Sequence, residues 1–126
     1  MATIKSYSDL QQSRKLAEIL PLESADMYYS YYHNPISGTS YYEEYPIFNI
    51  PINKNKSLPC WSLSALLSVL PILDNRSPVI PKTFDGKYRV TYHSTAYERA
   101  ILTSDYDNPI DACVDMIEKL HELNLL

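Results

Sequence analysis

Seven of the twelve tyrosines crowd into one short stretch, at Tyr28, Tyr29, Tyr31, Tyr32, Tyr41, Tyr42 and Tyr45. Flat rings tipped with hydroxyls can stack on a base or pack into a partner, because few rotatable bonds are frozen when they bind. The same rings would also fill a half-buried sheet, where tyrosine is a favoured strand residue, or form an interface between copies. Trp61 adds one more large ring, although a lone Trp in an apolar segment is also ordinary core. Lys87, Arg89 and Arg99 could clamp a phosphate, or be the solvated face of a strand. Taken together, these residues suggest an aromatic pocket lined by some of Tyr41, Tyr42, Trp61, Arg89 and Tyr92. Its occupant would be a small nucleotide-like molecule.

Signatures of catalysis are missing from the sequence. It holds no Gly-rich phosphate loop, no Gly-x-Ser-x-Gly elbow and no His-x-x-x-His or clustered Cys/His ligand set. Glu43 and Glu44 are adjacent, so on a strand they point to opposite faces and cannot share acid–base work. His33, His93 and His121 fall in different predicted elements. The expectation is therefore a binding protein with no catalytic residue, no metal and no cofactor. Cys60 and Cys113 each sit in an apolar pattern and read as buried free thiols.

A chain of 126 residues closes one hydrophobic core, and a single domain over 1–126 is expected. Its net charge is −4, with Lys and Arg scattered. A nucleic-acid polymer binder draws affinity from the opposite balance, so that partner is not expected. Met1 to Leu10 shows no basic segment leading into an apolar run, and no stretch approaches membrane-spanning length. These features predict a cytoplasmic protein without a membrane partner.

Three helices must position the rings. The first is predicted over residues 6–20, with Ser6 and Asp9 as a capping-box-like start and Leu10, Leu16, Ala17 and Leu20 on one face before Pro21. The second runs from Ser57 or Leu58, with Pro59 in its first turn, to Pro71, and its apolar coverage predicts the most buried helix. The third, over 107–120, is marked by Asn108 or Asp107 as cap, Pro109, Asp111, and the apolar face Ile110, Cys113, Val114, Ile117 and Leu120.

Between the helices, Asn34, Pro35, Ser37 and Gly38 supply a turn joining Tyr28–Tyr32 to Tyr41–Phe48, as a loose hairpin or an ordered loop. Pro46 and Pro51 would confine any strand there to an edge. Tyr88, Val90 and Tyr92 alternate with Arg89, Thr91 and His93, predicting a strand that returns around Ser94 to Tyr97 and pairs antiparallel with Arg99 to Thr103. Asp85-Gly86 would turn the chain into that strand from Ile80–Phe84. The fold class is α+β, three helices packed on a small antiparallel sheet.

Residues 13–27, from Ser13 to Met27, residues 58–71, Leu-Pro-Cys-Trp-Ser-Leu-Ser-Ala-Leu-Leu-Ser-Val-Leu-Pro, and residues 106–122, beginning Tyr-Asp-Asn-Pro-Ile-Asp, carry a resemblance. They resemble a family of short uncharacterised proteins encoded by gut Bacteroidales bacteria and their phages and mobile elements. The likeness covers the helical segments, and the tyrosine-rich stretch and the later hairpin are less like the family. It implies a genomic setting, that of small accessory factors which bind a host component. The expected partners are then a small-molecule ligand or a host protein met by the tyrosine face, which could also make a homo-oligomer.

Overall fold

A computed structural model of the chain describes residues 5–48, 56–93 and 100–126. It is an α+β protein with helices α1 (Leu10–Ile19), α2 (Leu63–Val69) and α3 (Pro109–Glu122). Its strands are β1 (Met27–Tyr29), β2 (Tyr31–His33), β3 (Ser40–Tyr42), β4 (Leu58–Cys60), β5 (Thr91–Tyr92) and β6 (Ile101–Leu102). They form three antiparallel ladders, β1 with β4, β2 with β3 and β5 with β6. No described helix is long and apolar enough to cross a membrane. The chain divides into two compact units, Tyr7–Ala65 and a second made of Met1–Ser6 with Leu66–Leu126.

In the unit Tyr7–Ala65, α1 starts one turn later than its sequence suggests. Asp9, not Ser6, is the cap: its carboxylate accepts the Gln12 N–H at 2.8 Å while the Gln12 side chain accepts the Asp9 N–H at 3.0 Å. The helix buries Ser13 and Leu16 and packs on β4. The second helix is also shorter than predicted, because residues 58–60 are strand β4. Ser62 opens α2 instead, its hydroxyl accepting the Ala65 N–H at 3.2 Å while the Asp26 carboxylate holds its N–H at 2.9 Å and its hydroxyl. Leu67 of α2 is exposed, and α3, with seven buried residues, is the more buried helix.

Of the two expectations for the tyrosine-rich stretch, a loose hairpin or an ordered loop, the hairpin forms, over Tyr31–His33 and Ser40–Tyr42. Tyr31 pairs with Tyr42, Tyr32 with Tyr41 and His33 with Ser40. Its turn is closed by the Asn34 carboxamide, which accepts the Ile36 N–H at 3.0 Å, and by Gly38, whose φ of 72° suits a residue without a Cβ. β1 leads into β2 through buried Ser30 and pairs with β4 on one side, while Tyr28 exchanges two backbone bonds with Ile47 on the other. Met27, Tyr29, Leu58 and Cys60 form the core here, with Tyr7, Leu10 and Tyr42 packed against it.

Ser8, fully buried, knots that core together. Its hydroxyl accepts the Trp61 N–H at 3.1 Å and lies 2.7 Å from the Ser13 hydroxyl. Its carbonyl accepts the Tyr29 hydroxyl at 2.9 Å and the Cys60 thiol at 3.3 Å. Cys60 is thus a hydrogen-bonded thiol rather than only a small apolar filler.

In the second unit, residues 88–92 form the middle of an irregular sheet. Val79 and Lys82 bridge to Thr91 and Tyr88 on one side, through a turn at Thr83–Lys87 whose Gly86 has φ 81°. On the other side Tyr92 pairs with Ile101 and Thr91 with Leu102, and Tyr88 bridges to Tyr106. The register slips by one residue between those pairings, a bulge around Ser104 and Asp105, and the Thr103 hydroxyl fills in by accepting the Val90 N–H at 3.0 Å. The predicted return turn at Ser94 to Tyr97 lies outside the described residues. Helix α3 matches its prediction closely: Asn108 caps it by accepting the Asp111 N–H at 2.9 Å, with Pro109 next. Asp111 also pairs with Lys5 at 2.9 Å.

Candidate functional site

Of the five ring and cation positions singled out in the sequence, the described hollow is lined by Tyr92 and by none of the other four. Trp61 has no exposed surface; its indole N–H donates to the Ser24 hydroxyl at 3.0 Å, so it is core and not ligand contact. Tyr41 and Tyr42 are neighbours on β3 and point to opposite faces of the hairpin. Tyr42 turns inward, edge-on to Tyr31 at 5.7 Å, with the Arg14 guanidinium over its ring at 5.7 Å. Tyr41 turns outward, 55% exposed, stacked on Tyr32 at 5.6 Å between centroids.

In the second unit Arg89 and Tyr92 likewise fall on opposite faces of their strand. Arg89 faces Asp105 at 3.9 Å, and Lys87 pairs with Asp107. Two of the three cations of the expected phosphate clamp, Lys87 and Arg89, are thus answered by carboxylates. Arg99 lies outside the described residues.

Tyr92 does line a hollow, a cavity of about 380 Å³. The ring is 3% exposed and its hydroxyl donates to the Pro71 carbonyl at 2.7 Å. Burial pushes its ionisation up to about 12, with the nearby Cys113 thiol adding to the effect. At neutral pH it is therefore an uncharged wall.

Two local devices build the rest. Leu73 and Arg76 exchange backbone hydrogen bonds at 3.0 and 2.8 Å around Asp74 and Asn75. Both central residues have positive φ, 48° and 62°, the two-residue turn that suits Asp and Asn. It presents Leu73, Asp74 and Arg76 to the cavity. At the other end of the unit, Asn124 with φ 58° terminates α3. Its N–H reaches the His121 carbonyl at 3.1 Å and the Leu125 N–H reaches that of Leu120 at 2.8 Å. This cap folds Leu125 back as an apolar wall, with Ile72 and Ile101 completing the lining.

His93 follows Tyr92 out of the strand and reaches the rim. Among the described residues no ion pair or side-chain hydrogen bond engages Arg76 or His93. The site therefore combines apolar walls, one buried phenol, a guanidinium, an imidazole and the Asp74 carboxylate. Such a set can hold a small molecule with a flat or apolar body and an anionic end. Among the described residues no three His, Cys, Asp or Glu side chains gather as a metal site. No family model, curated protein or solved structure matches the chain.

Proposed function

We propose that the protein is a small accessory factor of a phage or mobile element that acts by binding, without conversion, a small nucleotide-like host molecule in the Tyr92 cavity. The observation that carries this reading is the pairing of apolar walls with an Arg76 guanidinium that no ion pair engages among the described residues, in one cavity of about 380 Å³. That volume lies within the usual range for small-ligand sites, roughly 300–1,000 Å³. The genomic setting is supported by the three helical segments alone.

The test is calorimetric titration of the full chain with nucleoside monophosphates and cyclic dinucleotides, each beside its unphosphorylated nucleoside. Binding should be stronger for the phosphorylated member of a pair and should weaken at least tenfold in Arg76→Ala, about the loss of one charge-assisted contact. Mass spectrometry should recover the probe intact. Turnover would move the protein to the enzymes, and absence of binding across the panel at millimolar concentration would end the proposal.

A second reading has its own observation. The outward stack of Tyr32 and Tyr41, 46% and 55% exposed, favours a tyrosine face that docks a host protein or another copy of the chain.

A further inference from the structure

The hairpin has a side that its own ladder does not use. In β2–β3 the hydrogen-bonded pairs alternate: Asn34 N–H reaches the Thr39 carbonyl at 2.8 Å and Glu43 N–H the Ser30 carbonyl at 2.9 Å. Tyr32 and Tyr41, midway between them, are therefore the bonded pair of the strands themselves. Ser40 and Tyr42 consequently aim their N–H and C=O groups away from β2. Those groups have no backbone partner among the described residues. A row of this kind is a template for another strand.

From this edge we propose that the chain self-associates, two copies pairing antiparallel through β3 about a two-fold axis at Tyr41. This rests on the docking reading above and names its partner. Three features of the edge make it complementary to itself. First, centring on Tyr41 sets Ser40 opposite the partner's Tyr42 and Tyr42 opposite the partner's Ser40, so each pair exchanges both of its bonds. Second, Tyr41 meets the partner's Tyr41 across the axis, and the Tyr32–Tyr41 stack runs on into a row of four rings on the outer face. Third, the acidic pair is kept apart, because Glu43 falls opposite the partner's Thr39 and Glu44 opposite the partner's Gly38. No like charges face each other along the pairing, despite a net charge of −4 on each copy.

A three-residue edge buries less than the roughly 1,200 Å² at which stable interfaces begin. Association should therefore be weak and depend on concentration, with dissociation constants of about 0.1–1 mM. Sedimentation and light scattering on the full chain, from about 10 µM to about 1 mM, should show the mean mass rising toward twice that of one chain. Amide exchange at Ser40 and Tyr42 should slow several-fold over that range, while exchange at Tyr41, already bonded within the hairpin, should not. Ser40→Pro removes an outward N–H, and Tyr41→Lys sets like charges face to face on the axis. Both should stay at single-chain mass with an unchanged circular dichroism spectrum.

Single-chain mass with no protection at Ser40 and Tyr42 at the highest concentration would overturn the proposal. So would association that persists in folded Tyr41→Lys. Capture of a host protein through Tyr41 by a chain that never self-associates would overturn it while leaving the docking reading standing; absence of both would end both.

Discussion

Tyr28 and Pro59 face each other across the β1–β4 ladder in a pair that calls for no hydrogen bond. Both polar backbone groups of Tyr28 are engaged by Ile47, at 2.8 and 2.9 Å, on the far side of β1. Met27 and Tyr29 are therefore the residues that bond to β4, and the Pro59 nitrogen points away from the ladder. The missing N–H is placed where an antiparallel register does not use it.

It follows that Pro59→Ala should be mild, about 0.4–1 kcal/mol destabilising, the effect of giving the unfolded chain more freedom. Moving the proline by one residue should be severe. Leu58→Pro or Cys60→Pro removes a donor that β1 requires, and urea unfolding should show a loss several times larger than for Pro59→Ala.

Ser8 predicts the opposite behaviour for a small, unremarked residue. Ser8→Ala leaves the Trp61 N–H without its side-chain acceptor in a fully buried place, while the Ser13 hydroxyl keeps only the Ser8 carbonyl at 3.4 Å. The cost should be about 1–3 kcal/mol by chemical denaturation, the penalty of an orphaned buried group. Tyr29→Phe should cost less, near 1 kcal/mol, because the Ser8 carbonyl it stops serving still accepts from Cys60.

Much of this was readable in the sequence where the signal is local. Asn108, Pro109 and Asp111 announce α3, and Asp85-Gly86 announces a turn, because cap and turn chemistry involve residues within a few positions of each other. Pro59 misled for the same reason. A proline beside an apolar run marks a helix start or a strand edge equally well, and only the distant partner Tyr28 decides. Of the cavity, Tyr92 was legible through its alternation with Thr91 and His93. Arg76 and Leu125 were not, since they meet only after a turn and a helix cap bring them there. Asp74-Asn75 and Asn124, residue types that tolerate positive φ, were the available clues. The alternation of strand faces, applied already to Glu43 and Glu44, also separates Tyr41 from Tyr42.

Alkaline pH should unfold the protein earlier than its composition suggests. Burial holds the Cys113 thiol up at about 12, against an ordinary value near 9, and raises the Tyr92 phenol to about 12. As pH climbs past 9 the unfolded chain gives up these protons while the folded chain keeps them, so stability falls until the folded values are reached. Below the unfolded values both states are protonated and the contribution is flat. Denaturation midpoints from about pH 7 to about pH 11 should be level and then decline. Cys113→Ala should lower stability at neutral pH but lessen the decline, and an equal decline in the variant would contradict the assignment.

Asn124 links the end of α3 to the cavity, and so to ligand affinity. Its φ of 58° is open to glycine, tolerable for asparagine and costly for a β-branched residue, by about 1–2 kcal/mol. Asn124→Gly should therefore keep both the fold and the Leu125 N–H bond to Leu120. Asn124→Val should undo the cap, because the valine would escape the strain by releasing the last turn, and Leu125 would leave the wall it forms. Most of α3 is held by its seven buried residues and should persist, so circular dichroism should change little. Titration with the strongest-binding nucleotide probe should separate the two variants. Affinity should be retained in Asn124→Gly and reduced severalfold in Asn124→Val, and equal affinity in both would show that Leu125 is no part of the binding surface.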